Sequence, residues 1–209
     1  MPRLLLIRHA QNDFVRTGKL AGRTPDVHLN EEGERQAAAL GRRLADKKLA
    51  AIYSSSLERA VETATAIADH HDGLAVQIED GVIEVDFGSW AGQRLRQLAR
   101  TRLWKVVQGF PSGARFPGGE SFFEVQARIV STLERLAAPH TGNIVIVSHA
   151  DVLKMAIAHY AGIHLDMFQR IEIAPASISI VDLNRYGPRL VRLNDTAHYD
   201  YILEERTDH

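Results

Sequence analysis

The chain has 209 residues, of which 45% are hydrophobic, and this length is sufficient for one substantial core. Because 25 lysine and arginine residues nearly balance 26 aspartate and glutamate residues, no net field is available for binding nucleic acid or an anionic membrane. Cysteine is absent, which excludes disulfides, thiolate metal sites and cysteine nucleophiles. The N-terminal apolar run is too short for a secretory signal or a membrane span. We expect a cytoplasmic protein with no membrane or nucleic-acid partner.

Apolar runs and amphipathic patterns alternate along the chain. In chain order, the predicted elements are a strand over 4–7, a helix over 31–46, a strand over 51–53, helices over 57–69 and 121–137, a strand over 144–147, a helix over 152–160, and strands over 177–183 and 189–193. Ser121 and Glu124 have the spacing of a capping box at the start of the third helix. The glycine- and proline-rich segment 109–119 indicates a loop within the domain.

This alternation predicts an α/β fold, with a mainly parallel central sheet covered on both faces by helices. We expect a single domain over residues 1–203 and a C-terminal tail over 204–209. In such sheets, ligands bind beyond the carboxyl ends of the strands. Two histidines follow predicted strands directly, in the pairs Arg8-His9 and Ser148-His149. The sequence therefore places both histidines at candidate ligand-binding positions.

The residues near these strand ends favour phosphate chemistry. A neutral imidazole such as that of His9 attacks phosphorus when fixed donors hold the phosphate charge. The guanidinium of Arg8 can make a bidentate hydrogen bond to phosphate oxygens. Arg59 lies at the start of a predicted helix, where free backbone N–H groups attract anions. An Arg-His pair after a strand is common and decides little by itself. Together with Arg59 and His149, it predicts a local anion site.

The chain contains, in this order, the segments LLLIRHA, Ala21-Gly22, TPDVHLNEEGERQA, SSSLERAVETA, IEVDFGSWAG, PGGES and VSHADVLK. Taken together, they resemble the successive motifs of the histidine phosphatase superfamily, the phosphoglycerate mutase-like proteins. The resemblance covers roughly residues 3–160. It implies the phosphoglycerate mutase-like fold, a three-layer α/β/α sandwich, and a homodimer is the assembly that family habit suggests.

The resemblance also implies roles for individual residues. His9 matches the histidine that becomes phosphorylated, and Arg8 and Arg59 match the arginines that bind phosphate. His149 matches the second active-site histidine, which polarises the transferring phosphoryl group. Because these cationic groups neutralise the charge of the phosphoryl group in flight, we expect no metal and no cofactor.

Glu84 matches the acidic residue of the family that protonates the leaving oxygen and later helps to activate water. Contact with an anionic phosphate raises the proton affinity of a carboxylate, which suits it to that role. Asp86 is the alternative acid. Three further residues are expected to line the pocket by position only, and these are Gln11, Gly22 and Ser121.

The chain departs from the family pattern around the nucleophile. Ala10 stands where glycine is usual, Asn12 stands at a hydroxyl position, and Val15 stands at an asparagine position. The phosphate contact of that asparagine is therefore lost or provided by Asn12. After the second histidine, Ala150-Asp151 replaces a pair of small residues.

The implied activity is that of a phosphatase acting on small phosphomonoesters through a phosphohistidine on His9, a phosphomonoesterase of the histidine acid phosphatase type. The segment that follows Glu84 is short, as in the family's phosphatases. We expect Trp104, Phe110 and Phe116 to belong to a partly apolar lid over the substrate pocket. There are two alternatives. One is a phosphomutase, which is an isomerase, that uses the same intermediate, and the other is a non-catalytic regulatory binding protein of this fold. Arg94, Arg96, Arg100 and Arg102 are interpreted as solvated or as a rim that attracts phosphorylated metabolites, rather than as a nucleic-acid site.

Overall fold

The computed structural model describes residues 1–199, so the predicted domain end at residue 203 and the predicted tail over 204–209 lie outside the described residues. The strands are β1 (Pro2–Arg8), β2 (Leu49–Ser54), β3 (Val76–Ile78), β4 (Gly142–Ser148), β5 (Ile178–Asn184) and β6 (Gly187–Asp195). The α-helices are α1 (Asp13–Arg16), α2 (Glu31–Leu44), α3 (Glu58–Ala68), α4 (Leu95–Leu98), α5 (Arg102–Gly109), α6 (Phe122–Ala137) and α7 (Ala150–Tyr160). Short 3-10 turns cover Asp80–Val82, Gly88–Trp90, Pro111–Gly113 and Leu165–Arg170.

The strands form one sheet in the order β3-β2-β4-β1-β5-β6. The first four strands are mutually parallel, and β5 and β6 extend the sheet by antiparallel pairing, which confirms a mainly parallel sheet. In this register Arg8 lies beside Ser148, and Ser54 lies beside Val147. The carboxyl ends of β1, β4 and β2 therefore meet at one edge, and the residues that follow them converge.

Helices cover both faces of the sheet because both faces of its central strands are apolar. In β1, Leu4 and Leu6 belong to a buried cluster with α6 and α7, whereas Leu5 and Ile7 belong to a cluster with α2 and α3. All four side chains are at most 5% exposed. The α/β fold with helices on both sides of the sheet is confirmed.

The long predicted elements agree with the structure to within a few residues, and the capping box formed by Ser121 and Glu124 is present at the start of α6. The elements α1, β3, α4 and α5 were not predicted, because a segment of three to eight residues shows too little periodicity. Within residues 1–199, no helix has both the length and the apolar character that crossing a membrane requires.

Candidate active site

His9 follows β1 and lies at the bottom of a cavity of about 290 Å³. Its backbone N–H donates to the Ser148 carbonyl at 2.9 Å, which fixes it to the neighbouring strand. Its Nδ1 lies 2.7 Å from the Ala10 carbonyl oxygen, and since a carbonyl only accepts, Nδ1 carries the proton and Nε2 the lone pair. Burial, together with the charges of Arg59 and Arg8, holds the pKa of His9 well below its ordinary value. The ring is therefore neutral, as a nucleophile requires.

Two arginines line the same cavity as His9. Arg59 lies in the first turn of α3 and is fully buried, and burial lowers its pKa. Its Nη2 donates to the Gly22 carbonyl at 2.8 Å, but its Nε and Nη1 have no hydrogen-bond partner among residues 1–199. Arg8 is held by a 2.7 Å hydrogen bond from Nη1 to the Ile173 carbonyl. Because buried donors need acceptors, this arrangement suits an anion next to His9.

His149 is the residue before α7, is fully buried, and has its ring centroid 5.2 Å from that of His9. Its Nε2 lies 2.8 Å from the Ser55 hydroxyl oxygen. That oxygen accepts from the Leu57 N–H at 3.3 Å, and the Ser55 hydroxyl proton has no other acceptor in the described part of the chain. On the other side of the ring, Nδ1 lies 3.5 Å from Nη2 of Arg59. Burial and the charge of Arg59 hold the pKa of His149 well below its ordinary value, so the ring is neutral.

Glu84 lines the cavity, and its Oε2 lies 3.8 Å from Nδ1 of His149. Its Oε1 accepts from the Val85 N–H at 2.8 Å, which orients the carboxyl group. Burial and the charge of Asp151 raise the pKa of Glu84 to about 7, and the positive charge of Arg59 opposes that rise. A carboxyl group with this pKa carries a proton in a large fraction of molecules at neutral pH, and can therefore act as an acid.

A charged network outside the cavity holds the segment that carries Glu84. Arg23 donates from Nε to the Glu84 carbonyl and from Nη2 to Glu120, both at 2.9 Å. Arg128 pairs with Glu120 through both Nε and Nη2 at 3.1 Å, and its Nη1 donates to two carbonyls of the same segment. The Glu120 carboxylate also accepts from the Asp86 N–H at 2.9 Å. We call these three residues, Arg23, Glu120 and Arg128, the brace.

Asn12, expected as a possible source of the missing phosphate contact, lies in the cavity wall. Its Oδ1 accepts from the backbone N–H at the start of α1, while its buried Nδ2 has no partner within residues 1–199. Gln11 lies outside the cavity, where its side chain accepts from Asn30. Gly22 contributes its carbonyl to Arg59 rather than lining the cavity, and its φ of 55° is a conformation that favours glycine.

Of the other residues named in the sequence analysis, some line the cavity and others lie away from it. Ser121 caps α6, and the Asp86 carboxylate accepts from the Gly88 N–H at 2.9 Å. Trp104 and Phe116 line the cavity, but Phe110 is 56% exposed and does not line it, because α5 ends at Gly109 and turns the chain outwards. The four arginines at 94, 96, 100 and 102 are exposed. Within residues 1–199, no group of three or more His, Asp and Glu side chains is placed to hold a metal ion.

The sequence analysis missed Ser55, Asp151 and the brace. Ser55 and Glu120 both stand inside segments that carried the resemblance, SSSLERAVETA and PGGES, so the motifs contained a signal. Arg23 and Arg128 offered none, because Arg23 contacts Glu120 and Arg128 contacts the Gly81 carbonyl, both distant in sequence.

The family model described as the histidine phosphatase superfamily (branch 1) matches residues 4–196. The chain belongs to the histidine phosphatase superfamily. Among its relatives, phosphoserine phosphatase 1 of Hydrogenobacter thermophilus is 31% identical over 204 residues, which is 95% of this chain and 94% of that protein. Phosphoglycerate mutase-like protein 4 of Arabidopsis thaliana is 30% identical over 156 residues, 72% of this chain and 67% of that protein.

A solved structure of this superfamily has the same fold over almost the whole chain. It is a mutant phosphoserine phosphatase from Entamoeba histolytica in complex with phosphoserine, with a TM-score of 0.85 and 27% identity, covering 95% of this chain and 99% of that one. The same phosphatase has also been solved with 3-phosphoglyceric acid. Names of phosphatases and of a mutase-like protein both occur among these relatives, so membership of the superfamily leaves the phosphoryl acceptor open.

Proposed function

We propose that this protein is a phosphatase that hydrolyses small phosphomonoesters through a phosphohistidine intermediate on His9. The observation that carries the proposal is the pairing of two features in one cavity. His9 is neutral with an available Nε2 lone pair, and the fully buried Arg59, which lines the same cavity, has two N–H groups without a partner among residues 1–199. A non-catalytic member of this fold would be free to lose His9, Arg8 and Arg59. All three are present here, and they line the same cavity.

In the first step, Nε2 of His9 attacks phosphorus and the bond from phosphorus to the leaving oxygen breaks. Glu84 gives its proton to that oxygen, so the product leaves as a neutral alcohol. Arg8, Arg59, His149 and the Nδ2 of Asn12 hold the equatorial oxygens of the phosphoryl group. The Nδ1 proton of His9 stays on its hydrogen bond to the Ala10 carbonyl throughout.

In the second step, a water molecule attacks the phosphohistidine, and the Glu84 carboxylate takes a proton from that water. The bond between phosphorus and Nε2 breaks, which releases inorganic phosphate and restores the neutral His9 and the protonated Glu84. The chain's own groups thus perform both proton transfers. They also neutralise the charge that develops in each transition state.

A phosphomutase of the same mechanism would hold a second phosphorylated ligand and exclude water. Such a ligand needs a second cationic site. Beyond Arg8 and Arg59, Lys19 is the one basic side chain that the described residues place in the cavity wall, and the rest of that wall is mainly apolar. This composition favours water as the acceptor.

A turnover panel tests the proposed function. Protein in the presence of a chelator is given an aryl phosphate, alkyl phosphates, nucleotides, phosphoserine and phosphoglycerates, with and without a bisphosphorylated primer. We expect release of inorganic phosphate without primer. Strict dependence on the primer, with isomerised product and no free phosphate, would establish the mutase instead.

Glu84→Gln tests the role of the acid. We expect kcat/KM, which reports the steps up to release of the alcohol, to fall by about 10²–10³-fold with an alkyl phosphate, but by less than about tenfold with a nitrophenyl phosphate, whose leaving group needs no proton. Because the pKa of Glu84 is raised to about 7, the acid is protonated below pH 7 and kcat/KM of the native protein falls above it. The variant should lack this alkaline limb in a pH profile. Equal losses with both substrates would contradict the assignment.

Glu120→Gln tests the brace. An amide cannot pair with two guanidinium groups, so Arg23 and Arg128 lose the ion pairs that fix the Glu84 segment. We expect a lower kcat/KM with alkyl phosphates, little change in kcat/KM with nitrophenyl phosphate, and a free energy of unfolding reduced by about 1–3 kcal/mol. Glu32→Gln, which breaks an exposed pair with Arg35, is the matched control and should change neither the activity on these substrates nor the free energy of unfolding. A uniform loss across substrates would indicate a purely structural role for the brace.

A further inference from the structure

Part of the cavity is lined by residues that the proposed mechanism does not use. We call this part the outer cavity. These residues come from the α1 region and from the segment between the 3-10 turn at Gly88–Trp90 and α5. They are mainly apolar and aromatic, with Phe14, Leu20, Trp90, Leu95, Trp104 and Val107.

Two of these aromatic side chains form a stacked wall. The rings of Trp90 and Trp104 lie 6.2 Å apart at an angle of 28°, and Trp90 packs edge-on against Phe116 at 5.3 Å. Trp90 and Phe116 are buried, whereas Trp104 is only partly buried and still lines the cavity. A flat apolar group placed here would bury surface against rings that are already held in position.

Charged groups in the outer cavity are few, and those present already have partners. The Lys19 ammonium lies 5.6 Å from the centroid of the Phe14 ring, a cation–π contact. Asp151 lies 3.6 Å from the Lys154 ammonium. A substrate with both an ammonium and a carboxylate would lose the hydration of those charges against mainly apolar walls, and desolvation of charge without pairing is costly.

We infer that the outer cavity binds a flat apolar leaving group, so that the preferred substrates are monophosphates of alcohols that carry an aromatic or similar ring. This inference rests on the proposed function, because the group bound there is the alcohol that the reaction releases. Trp104 is its specificity-determining residue. Gln108 and Gln169 stand in the wall as amides that a polar substituent on the ring can contact.

The test compares esters of primary alcohols, so that differences in the reactivity of the leaving oxygen stay small. The four substrates are 2-phenylethyl phosphate, ethyl phosphate, O-phosphoserine and 3-phosphoglycerate. We expect kcat/KM for 2-phenylethyl phosphate to exceed each of the others by about tenfold or more, as burial of one ring predicts. Trp104→Ala should lower that value by about tenfold, and leave ethyl phosphate within about threefold of the native protein.

Phe110→Ala is the matched control, because this aromatic residue lies on the same segment as Trp104 but is exposed and outside the cavity. It should leave all four values unchanged. A higher or equal kcat/KM for phosphoserine or 3-phosphoglycerate would overturn the inference while leaving the phosphatase intact. A Trp104→Ala variant that loses activity equally on ethyl and 2-phenylethyl phosphate would also overturn it. Absence of phosphate release from all four substrates would instead refute the proposed function.

Discussion

Replacing His9 with alanine is expected to lower kcat by about 10⁴-fold or more, since the variant has no group to accept the phosphoryl group. The rest of the site should persist. Arg8 is held by the Ile173 carbonyl and Arg59 by the Gly22 carbonyl, and neither contact involves the His9 side chain. The variant should therefore still bind inorganic phosphate in a calorimetric titration, with an affinity within about tenfold of the native protein.

The matched control for this prediction is His159→Ala, because His159 is an exposed histidine on α7. Its turnover should equal that of the native protein. A His9→Ala variant that binds phosphate and retains more than a small fraction of native kcat would show that water, rather than His9, attacks phosphorus. Loss of both binding and secondary structure would call for His9→Gln, which keeps more of the side-chain volume and should be equally inactive.

Replacing Arg59 with lysine is expected to lower kcat by about 10²–10³-fold, although the nominal charge is kept. Arg59 is fully buried and anchored to the Gly22 carbonyl by one arm, which leaves Nε and Nη1 for phosphate. An ammonium cannot make both contacts. Burial also lowers the pKa of a lysine far more than that of an arginine. Part of the lysine side chains would therefore be uncharged at this position. Steady-state kinetics with nitrophenyl phosphate measures the effect.

Arg35→Lys on the exposed face of α2 is the control for this substitution, and it should be neutral. Thermal unfolding of both variants separates lost stability from lost catalysis, and added phosphate should raise the unfolding temperature of the Arg59 variant less than that of the native protein. A folded Arg59→Lys variant with kcat within about threefold of native would mean that Arg59 does not hold the transferring group.

The convergence of the site could be predicted from the sequence where it depends on parallel strands. The apolar runs before His9 and His149 predict buried strands, and the carboxyl ends of parallel strands share one edge of a sheet. In the structure these strands are β1 and β4, which are direct neighbours. Arg59 is similarly accessible to prediction, because it starts the helix that follows the next strand along, β2.

The remaining features depend on contacts that no local pattern contains. The position of Glu84 in an irregular segment is set by the brace, whose members lie far in sequence from Glu84 on both sides, at Arg23 and at Glu120 and Arg128. The expected lid contains α5, which is short but capped by Thr101. Trp104 on this helix lines the cavity, whereas Phe110, the residue after the helix, is exposed. The ring of His149 is oriented by Ser55, a contact between residues 94 positions apart.

Trapping the phosphorylated enzyme tests the central claim of a phosphohistidine on His9 most directly. Protein mixed with an excess of nitrophenyl phosphate is quenched in alkali within milliseconds, digested, and analysed by mass spectrometry without exposure to acid. The account predicts one phosphoryl group on the peptide that contains His9, stable in alkali, lost in acid, and absent from His9→Ala. Rapid turnover with no phosphoryl group on His9 at any time, or with the label on another residue, would contradict it.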